Sequence, residues 1–286
     1  MSRRLPAWFK QRPADSRIMS TMKGLLGELN LHTICESALC PNIGGCFSQK
    51  TATFLILGDV CTRNCTFCAV SKGVPSPIDK EEPQRLLEAV KRLGLDYVVI
   101  TSVTRDDLPD GGASQFARII NLLRSNGNGV IVDVLISDFL GSAQALEAVV
   151  KAHPQVISHN VETVPRLYPE VRPGADYSRS LKLLFTVKNL NPEIVTKSGL
   201  MLGLGETKDE VIEVMNGLRE AGCDLLTIGH YLKPSPKHHP VVRFASPEEF
   251  LEFEQIGRGM GFSGVASAPL VRSSFKAAEL YTKVTA

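Results

Sequence analysis

Thr51-Ala52-Thr53-Phe54-Leu55-Ile56-Leu57-Gly58-Asp59-Val60-Cys61-Thr62-Arg63-Asn64-Cys65-Thr66-Phe67-Cys68 decides how the rest of the chain is read. Its first seven residues are apolar and rich in β-branched and aromatic side chains, the composition of a buried strand. Gly58-Asp59 ends that run, so Cys61, Cys65 and Cys68, spaced C-x3-C-x2-C, fall in the loop leaving the strand. Upstream, Cys35, Cys40 and Cys46 form a second triplet, spaced C-x4-C-x5-C. Six of the seven cysteines therefore lie in two groups, each one thiolate short of a closed zinc or iron–sulfur site. A metal with three protein ligands keeps one position open, and open positions belong to catalytic sites. A zinc ribbon is the rival reading of the loop, but it calls for another C-x2-C pair downstream, where only Cys223 remains.

From Thr51 onward, strand-like and amphipathic segments alternate. The strand candidates are Thr51–Leu57, Tyr97–Val103, Val130–Ile136, Val156–Asn160, Gly199–Gly203 and Leu225–Tyr231. The helix candidates are Lys80–Leu93, Ser114–Arg124, Ala143–Lys151, Asp176–Asn189, Lys208–Ala221 and Pro247–Met260. Strand then helix, repeated in this way, calls for a parallel sheet with right-handed crossovers. The expectation is an α/β chain whose residues 51–262 form a partial (βα)6 TIM-like barrel. Residues 1–50 are an N-terminal cluster-binding extension carrying the first triplet, and residues 263–286 a C-terminal tail. In such barrels the loops after the strands line the reactive face.

Composition narrows the function classes. A chain of 286 residues that is 43% hydrophobic can bury a large core as one domain. A net charge of +2 gives no case for nucleic-acid binding. No apolar stretch reaches membrane-spanning length, and the N-terminus lacks a signal peptide's apolar core. An odd number of cysteines grouped as ligands points to a reducing compartment, most simply the cytoplasm. Met1 to Pro13, with Arg3, Arg4, Lys10 and Arg12 around Trp8, reads as a solvated arm. Cys223 reads as a small buried hydrophobe. His159 and His230 read as core or rim residues at strand ends. His238-His239, among Lys233, Lys237 and Arg243, reads as a solvated basic loop, with docking of an acidic partner as the functional alternative.

The loop triplet after a strand, with Phe67 before its last cysteine, resembles the radical S-adenosylmethionine superfamily. The upstream triplet, together with Arg272-Ser273-Ser274-Phe275, resembles the lipoyl synthases within it. Further matching segments are Asp106 to Gly112, Asn160-Val161-Glu162-Thr163, Thr196 to Met201, Leu202 to Thr207 and Pro269 to Arg272. The resemblance runs from about Thr21 to about Lys276. It departs at Phe275, where that family usually has tyrosine, and at His230, where it usually has glutamine.

The resemblance implies that Cys61, Cys65 and Cys68 hold a 4Fe-4S cluster whose open iron is chelated by S-adenosylmethionine, a cosubstrate cleaved to a 5′-deoxyadenosyl radical. It implies too that Cys35, Cys40 and Cys46 hold an auxiliary, sacrificial 4Fe-4S cluster, with a serine as its fourth, replaceable ligand. Ser273 and Ser274 are the candidates, and the family motif favours Ser274; Arg272 beside them offsets cluster charge or pairs with a carboxylate. Phe67 packs on adenine or simply packs its loop. Asn160 and Glu162 hydrogen-bond the ribose or the methionyl group, or form a structural polar corner. Gly203 and Gly205 allow close approach of backbone to the nucleoside, or make a turn; they lack full G-x-G-x-x-G spacing. The reaction implied by the resemblance places sulfur at carbons 6 and 8 of an octanoyl-lysine on a lipoyl carrier domain or glycine-cleavage H protein. A ferredoxin- or flavodoxin-type donor supplies electrons. A biotin-synthase-like enzyme is the alternative, though without the upstream triplet. A pure iron–sulfur electron carrier would have no use for incomplete ligation.

Overall fold

The computed structural model of the chain describes residues 5–10 and 15–285. Arg3, Arg4 and Arg12 of the basic arm lie outside the described residues. Eight strands make one sheet: β1 (His32–Thr33), β2 (Thr53–Ile56), β3 (Tyr97–Ser102), β4 (Ile131–Leu135), β5 (Val156–Ser158), β6 (Val195–Leu202), β7 (Leu225–His230) and β8 (Gly264–Ser267). They stand side by side in chain order, β1 antiparallel to β2 and every other neighbour parallel. β1 and β8 are the two edges, so the barrel is open.

The long helices are α1 (Ser16–Glu28), α2 (Glu82–Leu93), α3 (Ala113–Asn126), α4 (Ala143–Lys151), α5 (Tyr177–Leu190), α6 (Lys208–Glu220), α7 (Pro247–Gly259) and α8 (Ala277–Thr285). Each of β2 to β7 is followed by one of α2 to α7, the six units that the alternation predicts. Their starts are written in the sequence. Thr207 and Glu210 make a reciprocal capping box at α6, and Ser246 caps α7 with Pro247 in its first turn. Their apolar faces, such as Val211, Val214, Met215 and Leu218 of α6, are buried.

Two parts differ from expectation. β6 starts at Val195 rather than Gly199, and the added residues include fully buried Thr196, Lys197 and Ser198. Each polar group there has a partner. Lys197 Nζ makes a short ion pair with Asp133, which also accepts from Tyr97 Oη and Ser158 Oγ, each at 2.9 Å. Thr196 Oγ1 donates to the Gly222 carbonyl at 2.8 Å. A polar run satisfied inside a barrel has no hydrophobic period to read. The segment after residue 262 is also more than a tail, because Gly264–Ser267 adds the edge strand β8 and α8 packs behind it.

The remaining tail is laid against β7 and the N-terminal extension. The Ala268 amide donates to Ile228 O at 3.1 Å, the His230 amide to Pro269 O at 3.1 Å, and Asn42 Nδ2 to Leu270 O at 2.7 Å. The approach is close enough to need glycine: a Cβ on Gly229 would stand 2.0 Å from the Val271 carbonyl oxygen. Gly229→Ala is therefore expected to push the tail off β7 and cost roughly 1–3 kcal/mol, as overpacking does. A denaturant midpoint unchanged from the parent would contradict that expectation.

Candidate active site

The strand ends and both flanking segments enclose a cavity of about 500 Å³. Its wall includes Cys61, Cys65 and Cys68 from the loop after β2, and Cys35 and Cys40 from the extension. Arg272, Ser273 and Ser274 from the tail complete the same wall, with Phe67, Asn160 and Glu162. Residues more than two hundred positions apart in the chain thus share one chamber.

Local hydrogen bonds explain why the loop sits there. Val60–Cys61 pairs in parallel with Ser71–Lys72, closing the loop on itself. The Thr62 amide and hydroxyl donate to Thr104 O at 3.1 and 3.0 Å, and the Thr66 amide to Val171 O at 3.0 Å. The first triplet is spread over two short helices. Cys35 lies in Ile34–Ser37, which Thr33 caps, Cys46 lies in Ile43–Ser48, and Cys40 stands between them. Cys46 does not reach the cavity wall, although its thiol is pushed up first by burial and then by the neighbouring Cys40.

Burial favours the neutral form of several of these thiols. Burial pushes Cys35 and Cys68 up to about 12, and raises Cys65 against the opposing pull of Arg172. Metal binding removes those protons, because the thiolate is the ligand. Among the described residues, no three His, Cys, Asp or Glu side chains converge as one bound ion requires. A multi-iron cluster is a different target, since each thiolate takes a different iron. Cys35 and Cys40 of the first triplet and all three cysteines of the second face one cavity, and they fit that donor set.

Asn160 and Glu162 meet directly, with Asn160 Nδ2 donating to Glu162 Oε1 at 3.1 Å. Glu162 sits at φ 63°, a costly conformation for a non-glycine residue, and its carboxyl is raised by burial against Arg172, Asn160 and Arg272. Two buried polar atoms here lack a partner: Asn160 Oδ1 and Arg172 Nε. Arg172 is only 9% exposed, and its Nη1 donates to the carbonyls of Asn160 and Val161, each at 3.0 Å. Orphaned donors and acceptors in a cavity wall fit a polar cosubstrate such as S-adenosylmethionine. Arg272, half-buried in the wall, is drawn below the ordinary arginine range by burial, against the pull of Cys40 and Glu162. It is therefore linked electrostatically to Cys40 of the first triplet and to Glu162.

Of the two readings of Gly203 and Gly205, the structure shows the turn. Neither lines the cavity. Both are left-handed, at φ 99° and 116°, because the chain wraps the buried Glu206 carboxylate. The amides of Gly203, Leu204 and Gly205 donate to it at 2.7, 2.9 and 3.1 Å. Their backbone donors are spent inside the turn, which leaves none for a nucleoside. Phe67 lines the cavity and also packs on the core, so both of its expected contacts are available. His159 is buried and neutral, lowered to about 4 by burial, with Nδ1 facing Ile136 O at 2.9 Å. Cys223 is fully buried. His239 is buried rather than solvated, its Nε2 lying 3.0 Å from Leu204 O. Sequence patterns did not point to Arg63, Asp138 or Arg172. Arg63 alone carried a signal, as a charged residue inside the cysteine loop.

Comparison with known proteins agrees with this geometry. Residues 55–218 match the model of the Radical SAM superfamily. The fold is similar to that of methylornithine synthase, with a TM-score of 0.56 and 16% identity, covering 86% of this chain and 77% of that one. It is also similar to coproporphyrinogen III oxidase from Escherichia coli, with a TM-score of 0.51 and 16% identity, covering 79% of this chain and 56% of that one. Barrel, loop and superfamily match define a radical S-adenosylmethionine enzyme. Within that class, the chain is 57% identical to lipoyl synthase of Caldanaerobacter subterraneus subsp. tengcongensis over 97% of both chains. It is 59% identical to lipoyl synthase of Aquifex aeolicus over 90% of this chain and 94% of that one. The chain belongs to the lipoyl synthase family. Among the described residues no helix is long and apolar enough to cross a membrane.

Proposed function

We propose that this enzyme inserts two sulfur atoms into an octanoyl group held in amide linkage to a lysine of a carrier protein, at carbons 6 and 8. The observation that carries this reading is the shared wall: cysteines of both triplets and the Ser273-Ser274 tail face one cavity. A hydrogen-abstracting site and a sulfur source must reach the same short chain, and one chamber satisfies both.

When bound at Cys61, Cys65 and Cys68, a 4Fe-4S cluster supplies the electron that cleaves S-adenosylmethionine, and with it the power to take hydrogen from an unactivated carbon. The protein's own residues do the rest. Asn160 and Glu162 orient the ribose or methionyl group, and Phe67 flanks the adenine. Arg172 Nε offers a donor to an anionic group of the cosubstrate. The apolar walls, Leu55, Leu135 and Leu200 among them, keep water from a reactive centre. Cys35, Cys40 and Cys46 present a second 4Fe-4S cluster as the sulfur substrate. Ser274, favoured over Ser273, is its fourth ligand; an alkoxide is harder than thiolate, so iron releases it more readily. Arg272, linked electrostatically to Cys40, would offset the charge of a cluster held there. The acyl group arrives on a lipoyl carrier domain or glycine-cleavage H protein, and a ferredoxin- or flavodoxin-type protein delivers electrons.

Anaerobic reconstitution tests the arrangement without turnover. The full chain is expected to take up about eight irons and eight sulfides, the content of two four-iron clusters. Replacing all three cysteines of either triplet with Ala should reduce this to about four of each. A full chain that saturates near four irons would remove the second cluster from the proposal.

A further inference from the structure

Arg63 lies inside the second triplet, and its side chain joins a largely buried network of charge. Its guanidinium forms a fork on Asp106, Nε to Oδ2 at 2.7 Å and Nη2 to Oδ1 at 3.0 Å, and makes a short contact with Asp138. Arg63 is 9% exposed and Asp138 2%. Asp138 also accepts from Arg179 Nη1 of α5 at 3.0 Å and from the Leu140 amide at 3.2 Å. The turn that aims it is strained. Phe139, Leu140 and Gly141 are all left-handed, at φ 45°, 52° and 83°, and two of these are not glycine. Such a turn persists only where its surroundings over-determine it. Here the two arginines on Asp138 do so.

The same residue has a second contact at its other end. The Arg63 backbone N–H donates to Cys61 Sγ at 3.4 Å. One buried carboxylate, Asp138, and one half-buried, Asp106, thus hold the side chain of a residue whose amide points at a ligand sulfur. Hydrogen bonds to the sulfurs are among the levers that set an iron–sulfur potential, because they stabilise the added negative charge of the reduced cluster. We propose that Arg63 is a positioning residue, locked by Asp106 and Asp138 so that its amide stays on the Cys61 sulfur and keeps the cluster easier to reduce. This rests on the reading that a 4Fe-4S cluster binds at Cys61, Cys65 and Cys68.

The test uses the chain with Cys35, Cys40 and Cys46 replaced by Ala, so that one cluster is observed, reconstituted anaerobically. Its reduction potential is followed by spectroscopic redox titration, and exchange of the Arg63 amide is followed by mass spectrometry. Arg63→Lys keeps the charge but loses the fork. It is expected to lower the potential and speed amide exchange at least ~10-fold, the signature of a contact opened locally. Asp138→Asn separates positioning from simple charge. Removing an anion would by itself raise the potential, whereas loosening the lock lowers it, and lowering is expected. A parental potential in Arg63→Lys, or a raised one in Asp138→Asn, overturns the proposal. If Asp138→Asn does not fold, Arg63→Lys still decides. A parent that takes up no iron overturns the cluster reading itself, and this proposal with it.

Discussion

Replacing Cys61, Cys65 or Cys68 with Ala is expected to abolish S-adenosylmethionine cleavage, whereas replacing Cys35, Cys40 or Cys46 should leave cleavage in place and stop sulfur insertion. Cysteines of the two triplets share a cavity but not a backbone support. The first stands on two short helices of the extension, and the second on the loop after β2, fastened to Thr104 and Val171. Loss of one thiolate should therefore empty its own site without unmaking the other. The measurements are 5′-deoxyadenosine released per chain and the mass of the octanoyl carrier. Lipoyl product from any upstream variant would show that sulfur comes from elsewhere. Continued cleavage in a Cys65→Ala variant would move the radical site away from the loop.

Much of the fold and site is legible from residues alone because the informative features are local. A cysteine spacing needs no tertiary contact to be read, and the six helices announce themselves by apolar stripes, four of them also by side-chain caps at Ser142, Asp176, Thr207 and Ser246. The features that sequence does not disclose are long-range or polar. Thr196, Lys197 and Ser198 fall outside the strand candidate because their burial depends on Asp133 and Gly222, contributed by other elements of the barrel. The Gly203-Leu204-Gly205 run suggests backbone near a ligand. Its partner is Glu206, one residue beyond the run, and a glycine pattern does not reveal what its amides bind. Arg172 carries no motif, and its two carbonyl partners lie eleven and twelve residues upstream across a loop. β8 is four residues long with no apolar run, so only its pairing with β7 defines it. The departure at His230 is absorbed locally. The ring packs against Phe9, with centroids 5.0 Å apart, and stacks on Phe244 at 5.4 Å.

An octanoyl group on a carrier should be turned over well, an octanoyl-lysyl peptide less well, and free octanoate hardly at all. The cavity opens to solvent where Leu39, 65% exposed, and the exposed Lys233 form part of its wall. A cavity of about 500 Å³ has room for a thin chain but none for a folded domain. An acyl-lysine stem can thread such an opening while its carrier rests on the rim, and the amide then fixes how deep the chain reaches. Held in that way, the target carbons would stay beside cysteines of both triplets. Such positioning is worth about 7–11 kcal/mol in well-oriented reactions. Free octanoate has neither the amide stop nor the rim contact, and its carboxylate would have to lose its hydration against a mostly apolar wall. The comparison is made at equal acyl concentration under anaerobic reduction, scored as kcat/KM for dithiol product. The free acid is expected to fall below the carrier by more than ~100-fold, a modest share of that positioning energy. Comparable turnover of free octanoate would overturn the carrier requirement and favour a small-molecule sulfur inserter of the biotin-synthase kind.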